Sequence, residues 1–141
     1  MQIKWTNRHD NFIDAYMVRR EVFVVEQKVP EELEIDEYDN IALHLVVYDD
    51  RTPVATGRIF ETGSSFVIGR ICVLREYRNM GLGNLLMEEL IGKAISMGAT
   101  EIVLSSQTYA TGFYEKFGFK EYGNIYLDAG IEHISMRKKI L

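Results

Sequence analysis

From Asp10 to about Val24, the residues Phe12, Ile13, Tyr16, Val18, Val22 and Phe23 recur at mostly helical spacing and predict an amphipathic helix, with Asp10 or Asn11 as its N-cap. The β-branched run Val22-Phe23-Val24-Val25 predicts that this helix loosens before Glu26 and Gln27. A short strand is expected over Gln2 to Trp5. Ile41 to Tyr48 is almost continuously apolar or aromatic and reads as a strand. Asp49-Asp50-Arg51-Thr52 then turns into a second strand, Val54 to Phe60, and Gly63-Ser64-Ser65 into a third, Phe66 to Leu74. Pro30 and Pro53 are assigned to loops. Between Gly81 and Met97, Leu82, Leu85, Leu86, Leu90, Ile91, Ala94 and Ile95 form an apolar helical face, with Gly98 as the residue after its end. A short buried strand over Glu101 to Leu104 and a helix from Thr108 to Phe117 follow. Strands over Phe119 to Tyr126 and Ile131 to Arg137 close the chain. Strands that first meander and then alternate with helices predict a mixed α/β or α+β sheet.

Composition narrows the function classes. A length of 141 residues without internal repeats predicts one domain spanning 1–141. Hydrophobic residues at 47% and charged residues at 26% argue against disorder. The formal charge of −5 supplies no positive field to displace counterions from phosphates, so nucleic acid is not an expected partner. Cys72 is the only cysteine, which excludes an intramolecular disulfide and a cysteine-based zinc site. The histidines and carboxylates show no ligand spacing, so no metal is expected. No apolar run approaches the roughly 18 residues of a membrane span, and the first residues lack a signal-peptide pattern; a cytoplasmic protein without a membrane partner is expected.

The chemistry is concentrated in Arg70-Ile71-Cys72-Val73-Leu74-Arg75-Glu76-Tyr77-Arg78-Asn79-Met80-Gly81-Leu82-Gly83-Asn84, which reads as strand, short loop and glycine-bearing helix start. A helix N-terminus offers unpaired N–H groups and the positive end of a dipole, which suits a diphosphate. Gly81 and Gly83 remove side chains that would hold a phosphate away, and Arg78 and Arg75 add charge at the rim. Neither a P-loop nor a Rossmann fingerprint fits, because Asn84 follows Gly83 and Leu86 occupies the third small position. On these residues alone, two glycines that merely allow tight helix packing remain an alternative.

Arg78-Asn79-Met80-Gly81-Leu82-Gly83 resembles the Arg/Gln-x-x-Gly-x-Gly/Ala signature of the GNAT superfamily of acetyl-coenzyme A-dependent N-acetyltransferases. Ala110-Thr111-Gly112-Phe113-Tyr114-Glu115-Lys116-Phe117-Gly118-Phe119 resembles its second signature. The segments 20–27 and 128–133 are similar to a small bacterial branch labelled ElaA-like or YjcF-like. The resemblance implies an acyl-CoA N-acyltransferase fold: a mixed, mostly antiparallel twisted sheet flanked by helices and splayed between its fourth and fifth strands. It further implies acetyl-CoA as co-substrate. Ile71, Cys72 and Val73 would line the pantetheine, and the backbone of Asn79, Met80, Gly81, Leu82, Gly83 and Asn84 would meet the diphosphate, with Arg78 beside them. The Val73 N–H would polarise the thioester carbonyl. Tyr114 would protonate the leaving thiolate, and Phe113 and Gln107 would contact the coenzyme, Gln107 standing where many relatives carry asparagine.

The acceptor, an amine whose free pKa is roughly 10, needs a base. Glu26, Asp36, Glu61, His44 and His133 are chemically suited, and Glu26, just after the first helix, is the first choice. Cys72 could carry an acetyl group in a ping-pong mechanism; as a small hydrophobe in a central strand it better suits direct attack by the amine in a ternary complex. The six carboxylates from Glu31 to Asp39 would draw cationic amines if they face the acceptor, or they form a solvated face. A non-catalytic acyl-CoA-binding module is the alternative function, and a homodimer is compatible with either.

Overall fold

The computed structural model describes residues 1–140. Strands β1 (Gln2–Asn7), β2 (Leu43–Asp49), β3 (Thr52–Thr62) and β4 (Ser65–Val73) pair in sequence as an antiparallel meander, with β2 and β3 buried on both faces. The sheet continues through β5 (Glu101–Gln107), β7 (Ile131–Lys139) and β6 (Lys120–Asp128), in the order β1-β2-β3-β4-β5-β7-β6. Pro53 lies inside β3 rather than in a loop. It stands opposite Tyr48 at a register shift, where a residue without an N–H breaks no regular ladder.

The β4–β5 pair is parallel and short, joining only Phe66, Ile68 and their intervening residue to 102–104. Beyond Ile68 the two strands separate, as the splayed fold requires. A bulge in β4 accompanies the separation: Arg70 and Ile71 lie opposite Gly57 alone, and Arg70 has a φ of 51°. The extra residue also resets the alternation. Phe66 and Ile68 face one side of the sheet, and after the bulge Ile71 and Val73 share that side while Cys72 turns to the other.

On the first side lies α3 (Leu82–Ser96), which buries Leu82, Leu86, Met87, Leu90 and Ala94 against the sheet. Fully burying each of the leucines and Met87 contributes roughly 1.5–3 kcal/mol, and Ala94 less. Gly57 permits the close approach, since a Cβ there would stand 2.8 Å from Leu90 Cδ1. On the opposite side α1 (Phe12–Arg19) packs over β2, β3 and β4, with Val18 and Val22 against Cys72. Asn11 occupies the N-cap position of α1 without capping it; its side-chain amide donates instead to Asp14 and Tyr48.

The loosening expected around the β-branched run takes a definite form. Arg20–Glu26 is π-helical, and the Gln27 N–H reaches back five residues to the Val22 carbonyl at 3.0 Å. The acidic stretch folds into a single turn, α2 (Glu31–Glu34), and a 3₁₀ turn over Glu37–Asn40. The expected helix over 108–117 divides into a 3₁₀ turn, Thr108–Ala110, and α4 (Thr111–Glu115). Among the described residues no helix is long and apolar enough to cross a membrane.

Candidate active site

Where β4 and β5 part, a cleft of about 1130 Å³ opens between the end of the π-helical segment and α4. It brings together Glu26, Ile71, Cys72, Val73, Arg78, Gly83, Gln107, Phe113 and Tyr114, all expected from the sequence. Asn79, Met80 and Gly81 are exposed on the loop beyond it, Asn84 is exposed in the first turn of α3, and the Leu82 side chain is buried in the α3 core.

That loop has the form of an anion cradle. Gly81 caps α3 with φ 79°, Asn79 has φ 64°, and no side chain caps the helix. The first backbone bond into this turn runs from the Leu85 N–H to the Gly81 carbonyl at 3.1 Å, so the N–H groups of Leu82, Gly83 and Asn84 have no partner within the helix. Gly83 lies close against its neighbour: a Cβ would stand 3.2 Å from Phe113 Cζ, so the ring would have to give way to it. A bare helix start beside a strand edge without a partner beyond Ile68 fits the diphosphate and the extended amide arm of a coenzyme A molecule.

Tyr114 lines the cleft, and burial pushes its phenol up to about 12. Its ring meets Phe113 edge-on at 5.1 Å. Burial also raises the Cys72 thiol far above its usual range, so it stays protonated and a poor nucleophile.

Two contacts bridge the cleft. Arg78 donates to both oxygens of Glu26, at 2.6 and 2.7 Å, and through Nε to the Val73 carbonyl at 3.0 Å. The Arg78 hydrogen bonds and charge, with Arg75, hold the Glu26 carboxyl below its ordinary range, which weakens it as a proton acceptor. Gln107 donates to Gln27 Oε1 at 2.9 Å. Of the other candidate bases, Asp36 lines the cleft but is gripped by Arg58 at 2.7 and 2.8 Å. His44 is fully buried under Phe12, and burial together with Arg19 pushes its imidazole down to about 4. His133 lines the cleft with Nδ1 2.7 Å from the Ile131 carbonyl. A carbonyl only accepts, so Nδ1 carries the proton and Nε2 is left as the acceptor.

Sequence reasoning missed the ion network behind the cleft. Arg19, from α1, binds Glu34 and Asp39; Arg58, from β3, binds Asp36 and Asp39; Arg70, from β4, binds Glu34 and Asp36. The acidic segment therefore divides: Glu31, Glu32 and Glu37 are exposed, as a solvated face requires, while Glu34, Asp36 and Asp39 turn inward and are paired by three buried or half-buried arginines, so they present no open negative field to the cleft. An arginine inside the apolar strand Val54 to Phe60, and another on the buried side of α1, were the signals that pointed to it.

A strand pair opened beside a glycine-capped helix start, with the Tyr114 phenol lining the same cleft, fits a protein that handles acyl thioesters of coenzyme A. The family model of the Acetyltransferase (GNAT) domain matches residues 9–140, and the chain belongs to the GNAT acetyltransferase family. Within it the chain falls in the ElaA/YjcF-like branch. It is 44% identical over 126 residues to the uncharacterized N-acetyltransferase YjcF of Bacillus subtilis (strain 168), covering 89% of this chain and 90% of that protein. An acyl-CoA N-acyltransferase from Pseudomonas aeruginosa superposes with a TM-score of 0.89 at 30% identity, covering 98% and 99% of the two chains. Escherichia coli ElaA does so with 0.86 at 26% identity, covering 98% and 100%.

Proposed function

We propose that this acyl-CoA-dependent acyltransferase is an N-acetyltransferase that moves an acetyl group from acetyl-CoA to a primary amine by direct attack in a ternary complex. The observation that carries the reading is the junction of the bare α3 start, the open β4 edge and the Tyr114 phenol in one cleft. Bound there, acetyl-CoA would supply a thioester whose C–S bond is exchanged for an amide C–N bond. The backbone of Asn79 to Asn84 and Arg78 would hold the diphosphate, and Ile71, Cys72, Val73, Gln107 and Phe113 the arm. The Val73 N–H would donate to the carbonyl on which negative charge grows. Tyr114, protonated at every working pH, would give its proton to the departing sulfur.

Two features favour direct attack over an acetyl-cysteine. Cys72 is packed between α1 and the sheet, and its thiolate is disfavoured by burial. For the base, Glu26 is the weaker choice while Arg78 holds it, and His133 Nε2 takes its place in this reading. Incubation with acetyl-CoA and an amine panel, followed by assay of free thiol and mass spectrometry of the product, tests the activity. Coenzyme binding without turnover of any amine would favour the non-catalytic module. His133→Asn is expected to lower kcat at least tenfold and Glu26→Gln by less; the reverse ranking returns the base role to Glu26.

A further inference from the structure

The ion network behind the cleft leaves two of its cations, Arg70 and Arg58, incompletely paired, and Arg70 is the more exposed of the two. Arg70 sits in the β4 bulge, directly before the Ile71-Cys72-Val73 edge. Its Nε and Nη2 donate to the Glu34 carbonyl at 3.3 and 3.1 Å, Nη2 also reaches Asp36 Oδ2 at 3.3 Å, and Nε lies 3.0 Å from Glu34 Oε2. The Nη1 group has no hydrogen-bond partner among the described residues. Arg70 lines the cleft with 24% of its side chain exposed. Beside it the buried Nε of Arg58 has no partner either, and lies 3.9 Å from where a Cβ on Gly69 would stand. Burial and the Arg58 charge lower the Arg70 pKa, the mark of a cation that a further anion would stabilise. The same end of the cleft has an apolar wall: Tyr38 stacks on Phe60 at 4.6 Å, with Leu33 and Val67 alongside.

We propose that the acceptor amine carries a carboxylate, bound by Arg70 through Nη1, and an apolar side group held against Tyr38 and Phe60. The substrate class is then an apolar α-amino acid or a close analogue, rather than a polyamine or an aminosugar. This rests on the N-acetyltransferase reading above. A planar guanidinium suits a carboxylate geometrically, and a site built to bind a charged group discriminates strongly against analogues that lack it.

The test compares phenylalanine and leucine with their amides, methyl esters and decarboxylated amines. Binding to the protein saturated with coenzyme A is read by calorimetry, and acetylation by mass spectrometry. The acids are expected to bind, and to be acetylated, at least tenfold better in kcat/KM than the three carboxylate-free forms. Arg70→Gln is expected to bring the acid-to-amide ratio toward one by raising KM for the acid, and Arg70→Lys to restore part of it. Should either variant fail to fold, the wild-type comparison decides alone. Equal use of the four forms, or preference for the decarboxylated amines, overturns the proposal and leaves the N-acetyltransferase reading standing. A protein that neither binds coenzyme A nor acetylates any amine removes that reading, and the proposal with it.

Discussion

Tyr114 and His44 show burial acting in opposite directions on two titratable rings. Tyr114 is held protonated, so its proton is always available for donation. Tyr114→Phe is expected to lower kcat tenfold or more while calorimetry finds coenzyme A affinity within about twofold of wild type. His44 is held neutral. Its pKa is about 4 in the fold, against an ordinary histidine value of 6.5. Above pH 6.5, therefore, folded and unfolded chains are both unprotonated and its contribution to stability is complete. As the pH falls from 6.5 to about 4, the unfolded chain takes up a proton that the folded chain refuses, and roughly 3 kcal/mol is lost. Thermal melts across that window should show a falling Tm for wild type and a flatter profile for His44→Gln. Tyr114 was legible in the sequence because its motif is contiguous. Arg70 was not, because its meaning depends on Glu34 and Asp36, more than thirty residues away.

Among the elements, strands and the long helix were legible wherever one face meets one partner. In α3 the spacing places Leu82, Leu86, Leu90 and Ala94 correctly against the sheet, but the buried face is turned so that Met87 joins it and Ile95 is exposed. Two divergences that bear on the chemistry lie at the cleft. The π-helical turn after α1 gives definite form to the loosening that its β-branched run predicts, the expected helix over 108–117 is broken into a 3₁₀ turn and the short α4, and both segments carry residues into the site. The start of α3 is the most constrained. Gly83→Val would drive Phe113 from its position 3.2 Å from the glycine's missing Cβ, and is expected to weaken coenzyme A binding at least tenfold in calorimetry. Gly81→Ala places a side chain at φ 79° and should lower stability by about 1 kcal/mol, seen as a reduced denaturation midpoint.

At the scale of the whole molecule, α1, the acidic segment and the sheet are joined by ions as well as by apolar packing. Arg19 is fully buried between Glu34 and Asp39. Burial alone would raise the Asp39 carboxyl, yet the Arg19 hydrogen bond and charge hold it well below the carboxylate range. Arg19→Met would take one of the two arginine partners from each of the buried carboxylates Glu34 and Asp39, leaving Arg70 and Arg58 as the others, and is expected to cost about 3 kcal/mol, a fall in Tm of roughly 10 °C by calorimetric scan. The sequence by itself determined the strand and helix order, most of the apolar positions that meet the sheet and the glycine-bearing helix start, since each depends on periodicity and backbone freedom within a few residues; Ile13 and Ile95, on apolar spacing but exposed, are the exceptions. Only the tertiary structure decided which charges meet. Coulombic pairing and desolvation depend on distance in space, and the chain's own spacing does not reveal that Glu26 meets Arg78, or that the acidic stretch is balanced by arginines from a helix and two strands.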